Sequence, residues 1–221
     1  MEGSLWTNWW SDSDLVIRAV FITLISLSVG GWSVIVYKIS HYRSVLKREK
    51  QVRQLLMRDE GMCASTLVEL LPLQSISYPF LARYATQQHS EDRGQRKIEL
   101  ETRAAQFLDE RRVDLENGLI VLAIIGNSAP FIGLLGTVWG IMHGLQSLGG
   151  SAMLSMDMVA GPVSEALVAT AVGLFAAIPA AAAYNLLVRW LRRISSMTAG
   201  NLREMCDVIL FSEGGSNGRI S

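Results

Sequence analysis

Residues 129–185 read APFIGLLGTVWGIMHGLQSLGGSAMLSMDMVAGPVSEALVATAVGLFAAIPAAAAYN. Two membrane-length apolar segments, crowded with Gly and Ala, are separated here by a short loop. They carry one acid, Glu165, and two threonines, Thr137 and Thr170, at membrane depth. A carboxylate costs roughly 2.5–3.5 kcal/mol to insert at the centre of a membrane helix, so an acid retained in such a segment is a functional-site candidate. Working outward, a third apolar stretch covers residues 15–37. It is long enough to cross about 30 Å of hydrocarbon at about 1.5 Å of rise per residue. The chain therefore reads as an all-α integral membrane protein with three transmembrane helices and long helices extending into the cytoplasm.

Charge segregation sets the expected topology. Residues 38–118 hold fourteen of the twenty Lys and Arg residues, and the run from Lys38 to Arg58 follows the first span directly. The loop at 149–161 has neither Lys nor Arg, whereas Arg189, Arg192 and Arg193 close the third span. By the positive-inside rule the N-terminus lies outside and the C-terminus inside. The segments are then a periplasmic interfacial stretch (1–14, with Trp6, Trp9 and Trp10), a first span (15–37), a cytoplasmic helical domain (38–118), a second span (119–148), a periplasmic loop (149–161), a third span (162–188) and a cytoplasmic tail helix with a disordered end from Glu213 (189–221). Tryptophan favours the interface because its ring is half buried while its N–H stays wet. Arg18, one turn into the first span, snorkels to the headgroups.

Within the cytoplasmic segment the periodicity is helical. Val45, Val52, Leu55 and Leu56 share one spacing, Leu67, Leu70 and Leu71 another. Leu71-Pro72 and Tyr78-Pro79 are expected to break helices. From Gln95 to Asn117 a charged helix is expected to bury Ile98, Ala105, Leu108 and Leu115. With only Gly118 intervening, it should run on into the second span as one long helix.

In the second span Gly133, Thr137, Gly140 and Gly144 fall on one face, with Pro130 and Gly136 nearby. In the third, Ala169, Gly173, Ala176, Ala180 and Ala183 form one small-residue stripe, and Thr170, Gly173, Ala177 and Ala181 a neighbouring one. Such faces let helices approach closely in lipid. Pro162 suits a first helical turn and Pro179 an interior kink. Two readings of the polar residues stand side by side. Glu165 is either a pathway acid or an interfacial carboxylate capping a helix start; the second and third spans contain no Lys or Arg, and His143 is the nearby base. The threonines either line a wet path or bond their own helices four residues back, at Gly133 and Ala166. Glu165 and Thr170 are separated by roughly 140° on an ideal helix.

Composition narrows the function classes. Net charge is zero, so bulk charge indicates no nucleic-acid partner. Cys63 and Cys206 fall in cytoplasmic segments and are expected as free thiols. No metal-ligand spacing, cofactor motif, phosphate loop or hydrolase motif appears, so an enzyme is the poorest class and no cofactor is expected. The acidic start lacks a basic n-region and is not read as a cleaved signal.

The block Ala129-Pro130-Phe131-Ile132-Gly133-Leu134-Leu135-Gly136-Thr137-Val138-Trp139-Gly140-Ile141-Met142, with Gly161-Pro162-x-x-Glu165-Ala166-Leu167-x-Ala169-Thr170-Ala171-x-Gly173-Leu174 and Ala177-Ile178-Pro179-Ala180-x-x-x-Tyr184-Asn185, closely resembles the ExbB/TolQ proton-channel family, distantly related to the stator subunit MotA. The resemblance implies a multi-pass protein of the bacterial inner membrane that forms a homopentamer in the lipid bilayer around a pair of single-span partners of the ExbD/TolR type. It implies that a transmembrane Asp of the partner carries the proton past Thr137 and Thr170, that Glu165 is the pore glutamate, and that spans two and three line the pore. Proton flow would then work a TonB- or TolA-type protein. A Thr/Glu lining suits H⁺ or Na⁺ alike; the resemblance favours H⁺. Where the family has Gly-Ile-Ala-Glu, this chain has Gly161-Pro162-Val163-Ser164-Glu165. Met142-His143 leans toward TolQ and the cytoplasmic middle toward ExbB, with ExbB slightly favoured. The alternative from a different class is a passive helical scaffold, whose small-residue faces merely assemble helices.

Overall fold

The computed structural model describes residues 14–58, 63–85, 93–148 and 157–216. The segment holding Trp6, Trp9 and Trp10, the loop at 149–156 and residues 217–221 lie outside the described residues. Six helices and no strand are present among the described residues: α1 (Leu15–Arg58), α2 (Ala64–Leu70), α3 (Tyr78–Tyr84), α4 (Arg93–Glu116), α5 (Leu119–Leu148) and α6 (Asp157–Ser216). Three of them, α1, α5 and α6, are long and apolar enough to cross a membrane. In hydrocarbon every backbone N–H and C=O must be satisfied within the chain, and a continuous helix does this by itself.

The chain divides into two compact units, Met1–Tyr37 with Gly118–Leu186, and Lys38–Asn117 with Leu187–Ser221. In the apolar unit, α1 buries one stripe, Ile17, Val20, Phe21, Leu24, Gly31 and Ile35, at helical spacing. Gly136 approaches Val20, and Gly31 approaches Ile125, so α1 and α5 run antiparallel. The helix α6 begins at Asp157, not at Pro162. Pro162 therefore sits inside the helix, not in its first turn, and its ring packs against Gly144, where a Cβ would stand 3.2 Å from the Pro162 Cβ. The same helix continues to Ser216, beyond the Glu213 at which the sequence suggested disorder.

The polar unit has its own core, built from Val52, Leu67, Phe80, Leu100, Leu202 and Met205 among others. Three sequence expectations change here. Ile98 and Ala105 are exposed; α4 instead buries Arg96, Leu100, Ala104 and Leu115. Apolar residues are sparse on this charged helix, so two offset stripes compete, and packing selects the one that meets Phe80 and Leu202. Leu70 is exposed while Leu67 and Leu71 are buried. Pro79 stands in the first turn of α3, where a missing N–H is harmless, so it starts a helix rather than breaking one.

The fourth change is at Gly118. Its φ of 85° is left-handed, and it separates α4 from α5 where one continuous helix was expected. Glycine lacks the Cβ that penalises this conformation and commonly follows a helix end. The Asn117 N–H still bonds the Val113 carbonyl at 3.1 Å. The Leu115 carbonyl receives Lys38 Nζ at 2.9 Å and the Tyr42 hydroxyl at 2.7 Å. A cation at a helix C-terminus is favoured by the peptide dipoles. Burial, then the Glu116 carboxylate, pushes the Tyr42 phenol up to about 12, so it keeps the proton it donates.

Glu49 joins three elements of the polar unit. Fully buried, it accepts from the Ile76 and Ser77 N–H groups at 2.8 and 3.2 Å and from the Ser77 hydroxyl at 2.7 Å. Asn201 on α6 donates to its Oε2 at 2.9 Å. Truncation would strand the buried Ser77 N–H and hydroxyl, each worth about 1–3 kcal/mol when left unmet, and loosen Ile76 and Asn201, although Asn201 keeps its 3.1 Å bond to the Glu49 carbonyl. Glu49→Ala is expected to lower the midpoint of thermal unfolding in detergent by several degrees, and Glu49→Gln by less. An unchanged Glu49→Ala midpoint would show the network to be dispensable.

Candidate ion-pathway site

The site is built where α5 and α6 cross. A Cβ on Gly173 would lie 2.7 Å from the Ala129 carbonyl oxygen and 3.1 Å from Gly133 Cα. One on Gly133 would lie 2.9 Å from the Ala169 oxygen and 3.0 Å from Thr170 Cα. The two backbones therefore touch directly. From this crossing the helices zip antiparallel: Gly126 meets Ala181, Gly136 meets Ala169, Gly140 meets Ala166, and Gly144 meets Pro162. Ala177 is buried within the same seam. The spacing that placed Gly133, Gly140 and Gly144 on one face thus finds its partner in the small stripe of α6.

The crossing decides what the threonines do. Thr170 Oγ1 donates to the Gly133 carbonyl on α5 at 3.0 Å, not to Ala166 on its own helix. Thr137, one turn further along α5, is buried and bonds its own helix at Leu134, three residues back, at 2.7 Å. Thr170 is thus an interhelical residue and Thr137 a local one. Thr170 and Glu165 are both half-buried. No helix break separates Glu165 from Thr170, so their offset of roughly 140° stands. Glu165 directly precedes Ala166, the residue against Gly140. Pro130 and Pro179 lie inside their helices, and each removes one backbone N–H from the ladder.

Sequence reasoning missed one polar contact of this unit. Trp139 Nε1 donates to Asp14 Oδ2 at 2.6 Å. The signal was present in principle: an indole N–H on an apolar helix needs an acceptor, and Asp14 is the acid at the start of the first span.

A family model described as the MotA/TolQ/ExbB proton channel family matches residues 73–199. The chain belongs to that family. An ExbB from Neisseria meningitidis is 37% identical over 193 residues, covering 80% of this chain and 84% of the relative. A TolQ from Haemophilus influenzae is 33% identical over 190 residues, covering 79% and 80%. An ExbB from Xanthomonas campestris is 36% identical over 190 residues, covering 79% and 74%. This family member is accordingly a multi-pass membrane protein and a proton-channel subunit, with the ExbB relatives slightly closer than TolQ.

Glycine is required where backbones touch. Gly173→Ala should destabilise the protein by on the order of 1–3 kcal/mol, because a carbonyl, unlike a flexible side chain, yields poorly. Gly30→Ala, with nothing within 4 Å of the added atom, is the control. Thermal unfolding in detergent, followed by loss of helical signal, tests this; equal midpoints for both variants would contradict the close crossing.

Proposed function

We propose that this protein is the channel-forming subunit of a bacterial inner-membrane motor that uses the proton motive force. Five copies surround single-span partners of the ExbD type, and the assembly energises TonB-dependent outer-membrane transport. The single observation that carries this reading is the Thr170–Gly133 hydrogen bond at the glycine crossing. It sets a hydroxyl into a seam of Gly and Ala, where a partner's acid could exchange protons against a fixed wall. Thr137 and Glu165 lie toward the periplasmic side of Thr170 along the same two helices.

The orientation follows from charge. Lys38 to Arg58, and Arg189, Arg192 and Arg193, stand on the cytoplasmic side, which leaves Asp14 and Glu165 toward the periplasm. Threonine hydroxyls do not ionise near neutral pH, so Thr137 and Thr170 position and relay, and the titrating carrier is the partner's transmembrane Asp. The protein acts by ion conduction and has no enzymatic step.

A second reading is favoured by the Haemophilus TolQ relative, named as a Tol-Pal system protein and nearly as similar as the ExbB relatives. In that reading the partners are of the TolR and TolA type and the work is envelope maintenance.

Proton flux into vesicles holding the protein with its co-purified partner tests the channel reading. Thr170→Val and Glu165→Gln should each cut flux by at least about tenfold, the scale of a lost positioned polar group, while the oligomer's mass is unchanged. Thr170→Ser, which keeps the hydroxyl, should retain most of it. Undiminished flux in both Thr170→Val and Glu165→Gln would return the protein to a passive scaffold.

A further inference from the structure

The first span contributes none of Thr137, Thr170 and Glu165, yet a directional bond ties it to the helix that carries Thr137. The bond from Trp139 Nε1 to Asp14 Oδ2 is 2.6 Å long. Asp14 is itself fixed. Its carbonyl accepts the Arg18 N–H at 3.0 Å, which makes it the cap of α1. Its carboxylate also interacts with the Leu15 and Val16 N–H groups, and His143 lies within Coulombic range.

Trp139 is placed to matter. It follows Thr137 by two residues and precedes Gly140, which packs on Ala166 beside Glu165. Two other close approaches along the α1–α5 seam, Val20 to Gly136 and Ile125 to Gly31, are apolar. Apolar contacts are non-directional. A short hydrogen bond to an ionised acceptor is directional and among the stronger ones a protein makes.

We propose that Asp14 is a positioning residue of the ion pathway: by holding the Trp139 indole it fixes the axial register of α5, and so of Thr137 and Gly140, against α1. The proposal rests on the channel reading for its consequence and on the Asp14–Trp139 geometry for its cause. The competing role is a helix cap alone. Serine caps about as well as aspartate, but its shorter side chain does not reach the indole, whereas asparagine keeps both the cap and a carbonyl acceptor.

The test uses the complex extracted from its own membranes and reconstituted in vesicles, with fluorotryptophan incorporated. The Trp139 fluorine resonance is assigned by its loss in Trp139→Phe. Asp14→Ser is expected to shift that resonance and to lower proton flux about tenfold, to the level of Trp139→Phe, a scale typical of sub-ångström to ångström misplacement. The double variant should be no worse than Trp139→Phe alone, because both changes remove one interaction. Asp14→Asn, which keeps a neutral and weaker acceptor, should give a smaller shift and a flux between the parent's and that of Asp14→Ser. Flux and resonance unmoved in Asp14→Ser would reduce Asp14 to a cap and overturn the proposal. So would multiplied losses in the double variant, or an Asp14→Asn flux as low as that of Asp14→Ser. If the parent complex conducts no protons, the channel reading fails, while the fluorine shift still decides whether Asp14 holds Trp139. Native mass of each variant separates these outcomes from a failure to assemble.

Discussion

The closest approach of two backbones, Gly133 on α5 against Gly173 on α6, is the constraint from which the rest of the apolar unit follows. With 2.7 Å between a would-be Gly173 Cβ and the Ala129 oxygen, no side chain fits. Because the helices touch there, Thr170 reaches a carbonyl on the neighbouring helix instead of its own. The same closeness fixes what lies on either side: alanines against glycines toward Ala181, and Gly140 against Ala166 toward Glu165. In lipid no hydrophobic force draws helices together, so close packing and interhelical hydrogen bonds must do so; such bonds contribute about 0.6 kcal/mol on average and up to about 1.7. The seam is a shape before it is a chemistry, and the polar residues act within that shape.

The remainder of the apolar unit's surface tells what it must meet. Phe131, Phe175, Ile178 and Leu167 are each more than half exposed on the single chain. Patches of this kind mark contact with lipid or with other chains. Membership of the proton-channel family fits both kinds of neighbour. The polar unit is organised differently. It has an ordinary apolar core and a buried polar centre at Glu49, whose four donors come from the 76–77 turn and from Asn201. There the chain holds itself together with directional bonds as well as apolar packing.

Much of this was legible in the residues. Three apolar runs of spanning length and the glycines at helical spacing translate directly, because length and period are one-dimensional properties. The density of the 129–185 block made the family recognisable. What was hidden depends on a partner distant in sequence. The stripe of α4 was misread because Ile98 and Leu100 compete equally until Phe80 and Leu202 choose. The helix break at Gly118 was missed because a glycine between two good helices is compatible with either outcome. For Thr170 a backward bond and a place on a wet path were both open, and only the proximity of Gly133 supplies the interhelical acceptor. Asp14 and Trp139 are 125 residues apart, and nothing local pairs them.

The central claim is that this chain encloses a titrating partner and does not merely pack with itself. Native mass of the protein, gently extracted from its own membranes, tests it most directly. The account predicts five copies holding a smaller protein with one membrane span and an aspartate within it; the identity of that protein then distinguishes TonB-linked transport from envelope maintenance. A homo-oligomer that reproducibly lacks any such partner would leave the threonine-lined seam without a proton carrier and would contradict the account.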